Sequence, residues 1–312
     1  MQYLGEIISL VVAILWTATA LFANEASRRI GAMSTNLFRM ILSSVLLAGL
    51  LWIVIGHPYP AFADGKTWLW MGLSALVGYV FGDFCLFNSY VVIGARFGQL
   101  FMTLAPVFAA FAGWILLGET LSWKSVLAMG VTLSGIALSI LSRSQDGHHL
   151  TLRLPLKGIL LGIGAGMGQG VGLVLSKIGM QHYEAALPAN VPAAFDWAMP
   201  FASTMIRSLT GAVGFFVWMA LLRQLPQLRA AVHDRRGMQF TGLTTLFGPF
   251  IGVSLSLMAV QYARAGIAST LMALTPVLII LPYSMIYKQK ITPKEILGVT
   301  VSMTGVALFF LL

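Results

Sequence analysis

Long runs of apolar residues alternate with short polar stretches along the chain. Most of these runs have the roughly 20 residues that an α-helix needs to cross the hydrocarbon layer of a membrane, which is about 30 Å thick. The pattern predicts an all-α integral membrane protein with ten transmembrane helices. The predicted segments are residues 5–23, 34–56, 67–93, 97–117, 121–141, 156–180, 198–222, 239–262, 266–287 and 293–312.

The composition of the chain also favours a lipid environment. Hydrophobic residues make up 58% of the sequence and charged residues 9%, and the mean hydropathy is +0.87. A water-soluble globule of this size needs more polar surface. The single cysteine, Cys85, excludes an intramolecular disulfide framework, and we expect His148 and His149 to lie in a solvated loop. We therefore expect neither a metal nor a cofactor.

The second half of the chain repeats the first. Residues 72–138 align with residues 242–308 without a gap, and 16 of the 67 aligned pairs are identical. Glycine and proline are prominent among the identical pairs, which indicates that the same local backbone occurs twice.

A repeat unit of five helices is odd, so its second copy must enter the membrane from the opposite side. We therefore predict two inverted five-helix repeats within one membrane domain, at residues 1–141 and 158–312, joined by a polar linker at residues 142–157. This topology predicts a pseudo-two-fold axis in the membrane plane and a binding site near the midplane, where the halves meet.

The basic residues predict the orientation in the membrane. Thirteen of the 19 lysines and arginines follow odd-numbered helices, four follow even-numbered helices, and Arg39 and Arg207 lie within helices. By the positive-inside rule the thirteen-charge face is cytoplasmic, which places both termini outside. The net charge of +9 is then a consequence of topology, and we expect no nucleic-acid partner.

The predicted third helix carries the clearest candidate chemistry. Tyr79, Asp83 and Tyr90 recur on one face of this helix, and Asn88 lies a little to the side. Because a carboxylate among acyl chains costs at least about 2.5 kcal/mol, Asp83 should face a cavity or a partner. Two interpretations remain open: Asp83 pairs within the bundle as a structural group, or it binds a substrate amine or exchanges a proton. Val253 occupies the repeat-related position, so either role is asymmetric.

Two arginines form a further candidate pair. Arg39 near the start of helix 2 and Arg207 in helix 7 occupy comparable places in the two halves. Their guanidinium groups would hold an anionic substrate or gate the two mouths of the protein in alternation. The alternative is that they reach toward lipid headgroups, which suits Arg39 better because it lies closer to its helix end.

Helices 1 and 6 and two prolines complete the set of candidates. Glycines alternate along residues 162–172, which predicts close helix packing, and Gln169 among them offers hydrogen bonds. Trp16 lies in the related part of helix 1. A tryptophan there is more often part of the core than a ligand, but its indole can also form the wall of a cavity for flat or apolar substrates. Pro106 and Pro276 should each remove a backbone hydrogen bond in mid-helix, which predicts kinks in helices 4 and 9.

Several short motifs occur at residues 82–83, 93–96, 104–107, 116–122 and 135–138, and they are echoed at residues 265–268, 274–277 and 305–308. Together these motifs resemble the EamA-type repeat of the drug/metabolite transporter superfamily. The resemblance implies a ten-helix carrier that works by alternating access, with helices 1–4 and 6–9 around a central cavity and helices 5 and 10 at the periphery. It implies that Trp16, Arg39, Asp83, Gln169 and Arg207 line the cavity.

The sequence departs from this family pattern in two respects. Many similar proteins have cytoplasmic termini, whereas the charge distribution here predicts the opposite. Gln289 stands where the first repeat has Glu119, so we expect Glu119 to have a helix-end role without a symmetric partner.

The leading hypothesis is a secondary transporter of the inner membrane that exports or exchanges a small polar or amphipathic metabolite, such as an amino acid. Its expected partners are the substrate and the lipid bilayer, and it would act as a monomer or homodimer. A channel, or a scaffold or sensor without transport activity, remains the alternative. An enzyme is not expected, because no cluster of nucleophile, base or metal ligands is evident.

Overall fold

The structure is a computed structural model that describes residues 3–142, 155–188, 194–278, 280, 282 and 293–311. Helices make up most of this described part. No strand occurs among these residues, so the all-α class is confirmed for them. The elements are α1 (Leu4–Ile30), α2 (Ala32–Ile55), α3 (Gly65–Ala75), π1 (Leu76–Asp83), α4 (Phe84–Met102), α5 (Ala105–Leu117), α6 (Trp123–Ser142), α7 (Leu156–Ala186), α8 (Ala194–Leu221), α9 (Pro226–His233), α10 (Arg235–Thr245), π2 (Leu246–Val253), α11 (Ser254–Tyr262), α12 (Ala265–Met272), α13 (Thr275–Leu278) and α14 (Pro293–Leu311).

Length and apolar composition mark several of these helices as membrane spans. Within the described residues, six helical stretches of 24 to 31 residues are long and apolar enough to cross a bilayer. Four further apolar helices are shorter: Ala105–Leu117, Trp123–Leu138, Ala265–Leu278 and Ile296–Leu308.

Some boundaries differ from the predicted segments. Helix α7 continues to Ala186 and α8 begins at Ala194, so both extend into the long connector that the sequence left between them. The short helix α9 lies in a stretch for which no helix was predicted. Most of the predicted linker at residues 142–157, with His148 and His149, lies outside the described residues, as does Gln289.

The turn between the third and fourth predicted helices lies within the range of α4. In a straight helix, nine residues span about 13.5 Å. Gln99 nevertheless donates a hydrogen bond to the hydroxyl of Tyr90, and Gly98 lies against Ser89 and Tyr90. The chain therefore reverses direction between these residues.

The structure repeats the same local features 170 residues apart. The π-helical segments π1 and π2 begin at Leu76 and Leu246, and α6 and α14 begin at Trp123 and Pro293. The wider turns of a π-helix are rare, occur mostly inside α-helices and are frequent at functional sites. The repeat that is visible in the sequence is thus a repeat of backbone conformation.

Two aspartates extend this repeat beyond the aligned residues. Asp64 Oδ1 accepts a hydrogen bond from the backbone N–H of Thr67 at 2.8 Å, and Asp234 Oδ1 accepts one from Gly237 at 2.8 Å. Each aspartate is the N-cap of its helix, where it satisfies a backbone donor of the first turn. The hydroxyl and then the N–H of Thr67 hold the pKa of Asp64 below its usual value.

The two prolines take positions that differ from the prediction. Pro106 is the second residue of α5 and Pro276 is the second residue of α13, and each follows a break of two residues. At the start of a helix the missing proline N–H costs no hydrogen bond, because the first turn has no internal acceptor. The helices are therefore interrupted ahead of the prolines rather than kinked at them.

Helices α6 and α14 pack against each other in an antiparallel, two-fold arrangement. A methyl group on Gly135 would overlap the backbone of Ser302, and one on Gly305 would overlap the backbone of Thr132. Gly135 and Gly305 occupy equivalent positions in the two repeats, as do Thr132 and Ser302. Exchanging the two repeats therefore converts the first contact into the second. This is the geometry of a pseudo-two-fold axis between the helices.

Helices α2 and α8 meet in the same way. The hydroxyl oxygens of Ser43 and Ser208 are 3.2 Å apart, and Gly211 lies against Met40. If Arg39 and Arg207 are equivalent positions of the two repeats, exchanging the repeats converts one of these contacts into the other. Two independent helix pairs therefore relate the halves by a local two-fold axis.

The glycines of α7 allow it to pack tightly on two sides, as the sequence predicts. On one side, Gly168 and Gly172 lie against Gly82 and Gly78 of π1 with backbone on backbone. On the opposite side, Gly170 contacts the start of α5. Helix α7 of the second half is thereby held between two elements of the first half.

We expect Gly168→Ala to destabilise the protein. Its methyl group would lie 2.6 Å from the Cα atom of Gly82, and backbone atoms cannot move aside cheaply. Overpacking of this kind costs about 1–3 kcal/mol. The matched control is Gly49→Ala in α2, because no atom lies within 4 Å of the added methyl group. Thermal unfolding of the purified variants should show a lower midpoint for Gly168→Ala alone, and equal midpoints would contradict the packing described here.

Candidate functional site

Two adjoining cavities of about 50 and 80 Å³ lie where the halves of the protein meet. Both halves contribute to their walls, which are mainly apolar. Within the described residues, neither α6 nor α14 contributes a lining residue. The residues that line both cavities include Trp16, Tyr79, Gln99, Met102, Gln169 and Thr275.

A buried ion pair lies on the wall of the larger cavity. Arg39 Nη2 of α2 donates to Asp83 Oδ2 at the end of π1, and each residue is 5% exposed. Gln169 Nε2 of α7 donates to Asp83 Oδ1 at 2.6 Å and to the carbonyl oxygen of Gly78 at 3.1 Å. Both carboxylate oxygens of Asp83 are therefore engaged, one by each half of the protein.

This pair accounts for the position of Arg39. Its guanidinium carbon lies 4.8 Å from the ring centroid of Phe87, a cation–π distance. The side chain is directed into the protein and does not extend along the helix toward its end. In this conformation Asp83 serves as the bundle partner of Arg39, one of the two interpretations left open by the sequence.

Arg207 has a different environment from Arg39. It is 4% exposed, and its guanidinium carbon lies 4.4 Å from the ring centroid of Tyr79. Among the described residues it has no hydrogen bond and no ion pair, and Arg207 Nε and the Tyr79 hydroxyl are buried without a partner. Arg207 therefore brings a positive charge to the smaller cavity that no carboxylate of the described residues pairs with.

The remaining candidates divide between the cavity and the helix interior. Trp16 lines both cavities and contacts Gly252 of π2. Asn88 lines neither cavity, because its side chain donates to the carbonyl oxygen of Phe84 at 2.7 Å on its own helix. Among the described residues, no group of three or more histidine, cysteine or acidic side chains is placed to hold a metal ion.

Sequence reasoning missed several polar residues of the cavity wall. Gln99, Ser256, Ser269 and Thr275 line the smaller cavity. The only signal in the sequence was a polar side chain within an apolar stretch, which serine and threonine give weakly because their hydroxyls often bond to their own helix. The hydroxyl of Ser256, for example, donates to the carbonyl oxygen of Val253 at 2.8 Å.

A second set of charges lies toward one end of the bundle. Lys177 Nζ is 2.7 Å from Glu119 Oε1 and donates to the carbonyl oxygen of Ala263 at 2.8 Å, while Glu119 Oε2 accepts from the N–H of Ala265 at 3.0 Å. Both charged side chains are only about one-seventh exposed, at 14% and 15%. We call these four residues the Glu119 cluster. Glu119 does lie just beyond a helix end, as expected, but it binds the second half of the protein.

Comparison with known proteins agrees with this architecture. The EamA-like transporter family matches residues 3–141 and again residues 156–311, which together cover nearly the whole chain. A solved structure described only as "Crystal structure of protein" is similar with a TM-score of 0.69 at 16% identity, and the match covers 100% of this chain and 97% of that one. At this identity the likeness shows the fold alone. No curated protein matches the sequence. The two family matches cover both repeats, and the chain is a multi-pass membrane protein that belongs to the EamA-like transporter family.

Proposed function

We propose that this protein is a secondary transporter that moves a small polar or amphipathic metabolite, of the size and type of an amino acid, as an exporter or exchanger. The observation that carries the proposal is a cavity with buried charges between two halves related by local two-fold contacts. Inverted repeats of this kind support alternating access, in which two equivalent packings open the same site to opposite faces.

We further propose that all ten predicted segments cross the membrane in two inverted sets of five. Six long spans and four shorter apolar helices support this count, and the antiparallel contacts between mates support the inversion. We place the protein in an inner membrane, and the distribution of basic residues favours an orientation in which the Glu119 cluster faces outward.

Alternating access requires the cavity to change its size. Volumes of about 50 and 80 Å³ hold only a few water molecules, so this conformation is too tight for a metabolite. The halves must separate at one end before the substrate can enter. The Glu119 cluster is a candidate for the closure at that end, because it joins the end of α5 to α7 and to the turn between α11 and α12.

Asp83 is the candidate for coupling within this cycle. Its carboxylate joins Arg39 of the first half to Gln169 of the second half, so a change in its charge would alter both contacts. In the proposed cycle, a proton or a substrate group on Asp83 releases these partners and allows the halves to move.

We expect Asp83→Asn to abolish transport while the protein is still inserted in the membrane. Removing one member of a buried ion pair leaves the other charge uncompensated, which costs about 3–5 kcal/mol. The double variant Arg39→Gln with Asp83→Asn removes both charges and should recover stability. Untargeted metabolite profiling of medium and cytosol should show a metabolite that is enriched outside only with the wild type.

The double variant separates a structural role of Asp83 from a coupling role. If it recovers both abundance and transport, the ion pair is structural and the coupling proposal is wrong. Full transport by the single variant Asp83→Asn would likewise show that Asp83 does not couple transport. If no metabolite level in medium or cytosol differs between wild type and variant, the export proposal is wrong. Uptake assays in reconstituted vesicles then test the exchange proposal.

We expect Glu119→Gln to open the cavity at the end that carries the Glu119 cluster. The substitution removes the charge that binds Lys177 while preserving the size of the side chain. A Cys85→Ser background with Ser269→Cys reports access to the cavity wall, because Cys85 is the only native cysteine. A membrane-impermeant thiol reagent added to intact cells should modify position 269 several-fold faster in the Glu119→Gln variant than in the same background with Glu119.

The control for this experiment is Glu25→Gln. Glu25 forms an exposed ion pair with Arg29 at 2.7 Å, and exposed pairs contribute little to stability. This variant should leave the modification rate unchanged. Faster modification only in inside-out vesicles would reverse the proposed orientation, and an unchanged rate from both sides would show that the Glu119 cluster does not close the cavity.

A further inference from the structure

We infer that the substrate carries a carboxylate, or a similar small anionic group, that binds to Arg207 beside the ring of Tyr79. This inference rests on the proposed transport function and names the substrate class of the same cavity. It assigns the two buried arginines different tasks, although they occupy related places in the sequence. Arg39 pairs with Asp83, which also binds Gln169 of the second half, and Arg207 binds the substrate.

The charges of the cavity favour an anion. Among the described lining residues, Arg39 and Arg207 are cationic and Asp83 is anionic. Arg39 and Asp83 neutralise each other as a pair, so the charge of Arg207 remains. A buried charge without a partner is costly, and an anionic ligand would supply the partner that the chain does not.

The geometry around Arg207 leaves it available for a ligand. A cation–π contact, with the guanidinium carbon 4.4 Å from the ring centroid of Tyr79, holds the guanidinium without a hydrogen-bond acceptor. Arg207 Nη2 also lies against Gly78, where a side chain would come within 3.0 Å of it. The guanidinium is thus held in place while its donors stay free, which suits the two-pronged binding of a carboxylate. The unpaired hydroxyl of Tyr79 offers another donor nearby.

The alternative of amine recognition by Asp83 is less compatible with this arrangement. Arg39 and Gln169 occupy both of its oxygens, so a substrate amine would first have to displace them. Among the residues that the structure describes, no hydrogen-bonded group has to leave Arg207. The rest of the smaller cavity is mainly apolar, with Trp16, Met102 and Met272 among its walls, and suits an aliphatic or aromatic body.

The test uses pairs of compounds that differ only in the carboxylate. The probes are L-leucine and L-leucinamide, L-phenylalanine and L-phenylalaninamide, and phenylacetate and phenylacetamide. Binding is measured as the rise in the thermal unfolding midpoint of the purified full-length protein. At least one acid should raise the midpoint of the wild type, and its amide should bind at least about tenfold more weakly, since the amide cannot form charge-assisted hydrogen bonds with the guanidinium through a carboxylate.

Variants then assign the effect to Arg207. Arg207→Gln should lose the binding of the acid at least about tenfold. Tyr79→Phe keeps the stacking ring and should weaken binding by a smaller factor. The matched control is Arg264→Gln, the same substitution at an exposed arginine outside both cavities, which should bind as the wild type does. The comparison of acid with amide in the wild type requires no variant, so it remains decisive even if Arg207→Gln misfolds.

The outcomes separate this inference from the transport proposal. Equal binding of acid and amide, undiminished binding to a folded Arg207→Gln variant, or no binding of any acid in the panel would each overturn the carboxylate site. Uptake of the bound acid into proteoliposomes is measured in parallel. Binding without uptake would preserve the carboxylate site and contradict transport, whereas uptake of the amides alone would preserve transport and contradict the carboxylate site.

Discussion

The close contact between α7 and π1 determines much of the remaining structure. Gly168 and Gly172 of α7 meet Gly82 and Gly78 of π1 with no side chain between the two backbones. Only this approach places Gln169 within 2.6 Å of Asp83 and 3.1 Å of the Gly78 carbonyl. A contact between the backbones of four glycines thus brings the polar groups of both halves together.

The energetics of charge in an apolar bundle explain the pairing that follows. Asp83 and Arg39 are each 5% exposed, and either charge left there without the other would be costly. Together with Gln169 they form a connected polar group that ties the first half to the second. Such a connection favours a small number of discrete packings, because the polar groups must be satisfied in each of them. The alternating access proposed above requires two discrete packings of this kind rather than a continuum.

Matched glycines, prolines and charges made part of this structure predictable. The constant spacing between the repeats identified Gly78 and Gly82 with Gly248 and Gly252, and both pairs lie in π-helical segments at the cavity. The candidates Trp16, Arg39, Tyr79, Asp83, Gln169 and Arg207 all lie on its walls. An isolated charge or amide in an apolar run is a strong signal because lipid excludes it.

Other features depend on contacts that a single sequence does not contain. The pairing of Glu119 with Lys177 joins residues 58 positions apart in different halves, and only the packing of α5 against α7 brings them together. Asn88 was misleading, since an amide can bond to its own helix as readily as to a ligand. The prolines identified the interrupted helices, but the position of each break depends on tertiary packing.

The central claim is that the halves separate at one end while the other end stays closed. Spin labels at Thr120 and Glu184 report the end with the Glu119 cluster, and labels at Arg28 and Arg236 report the opposite end, in a Cys85→Ser background; all four positions are exposed. Pulsed electron paramagnetic resonance would measure both distances with and without the Glu119→Gln substitution. We expect the substitution to lengthen the Thr120–Glu184 distance and not the Arg28–Arg236 distance. Unchanged distances at both ends, or lengthening at both ends together, would contradict alternating access.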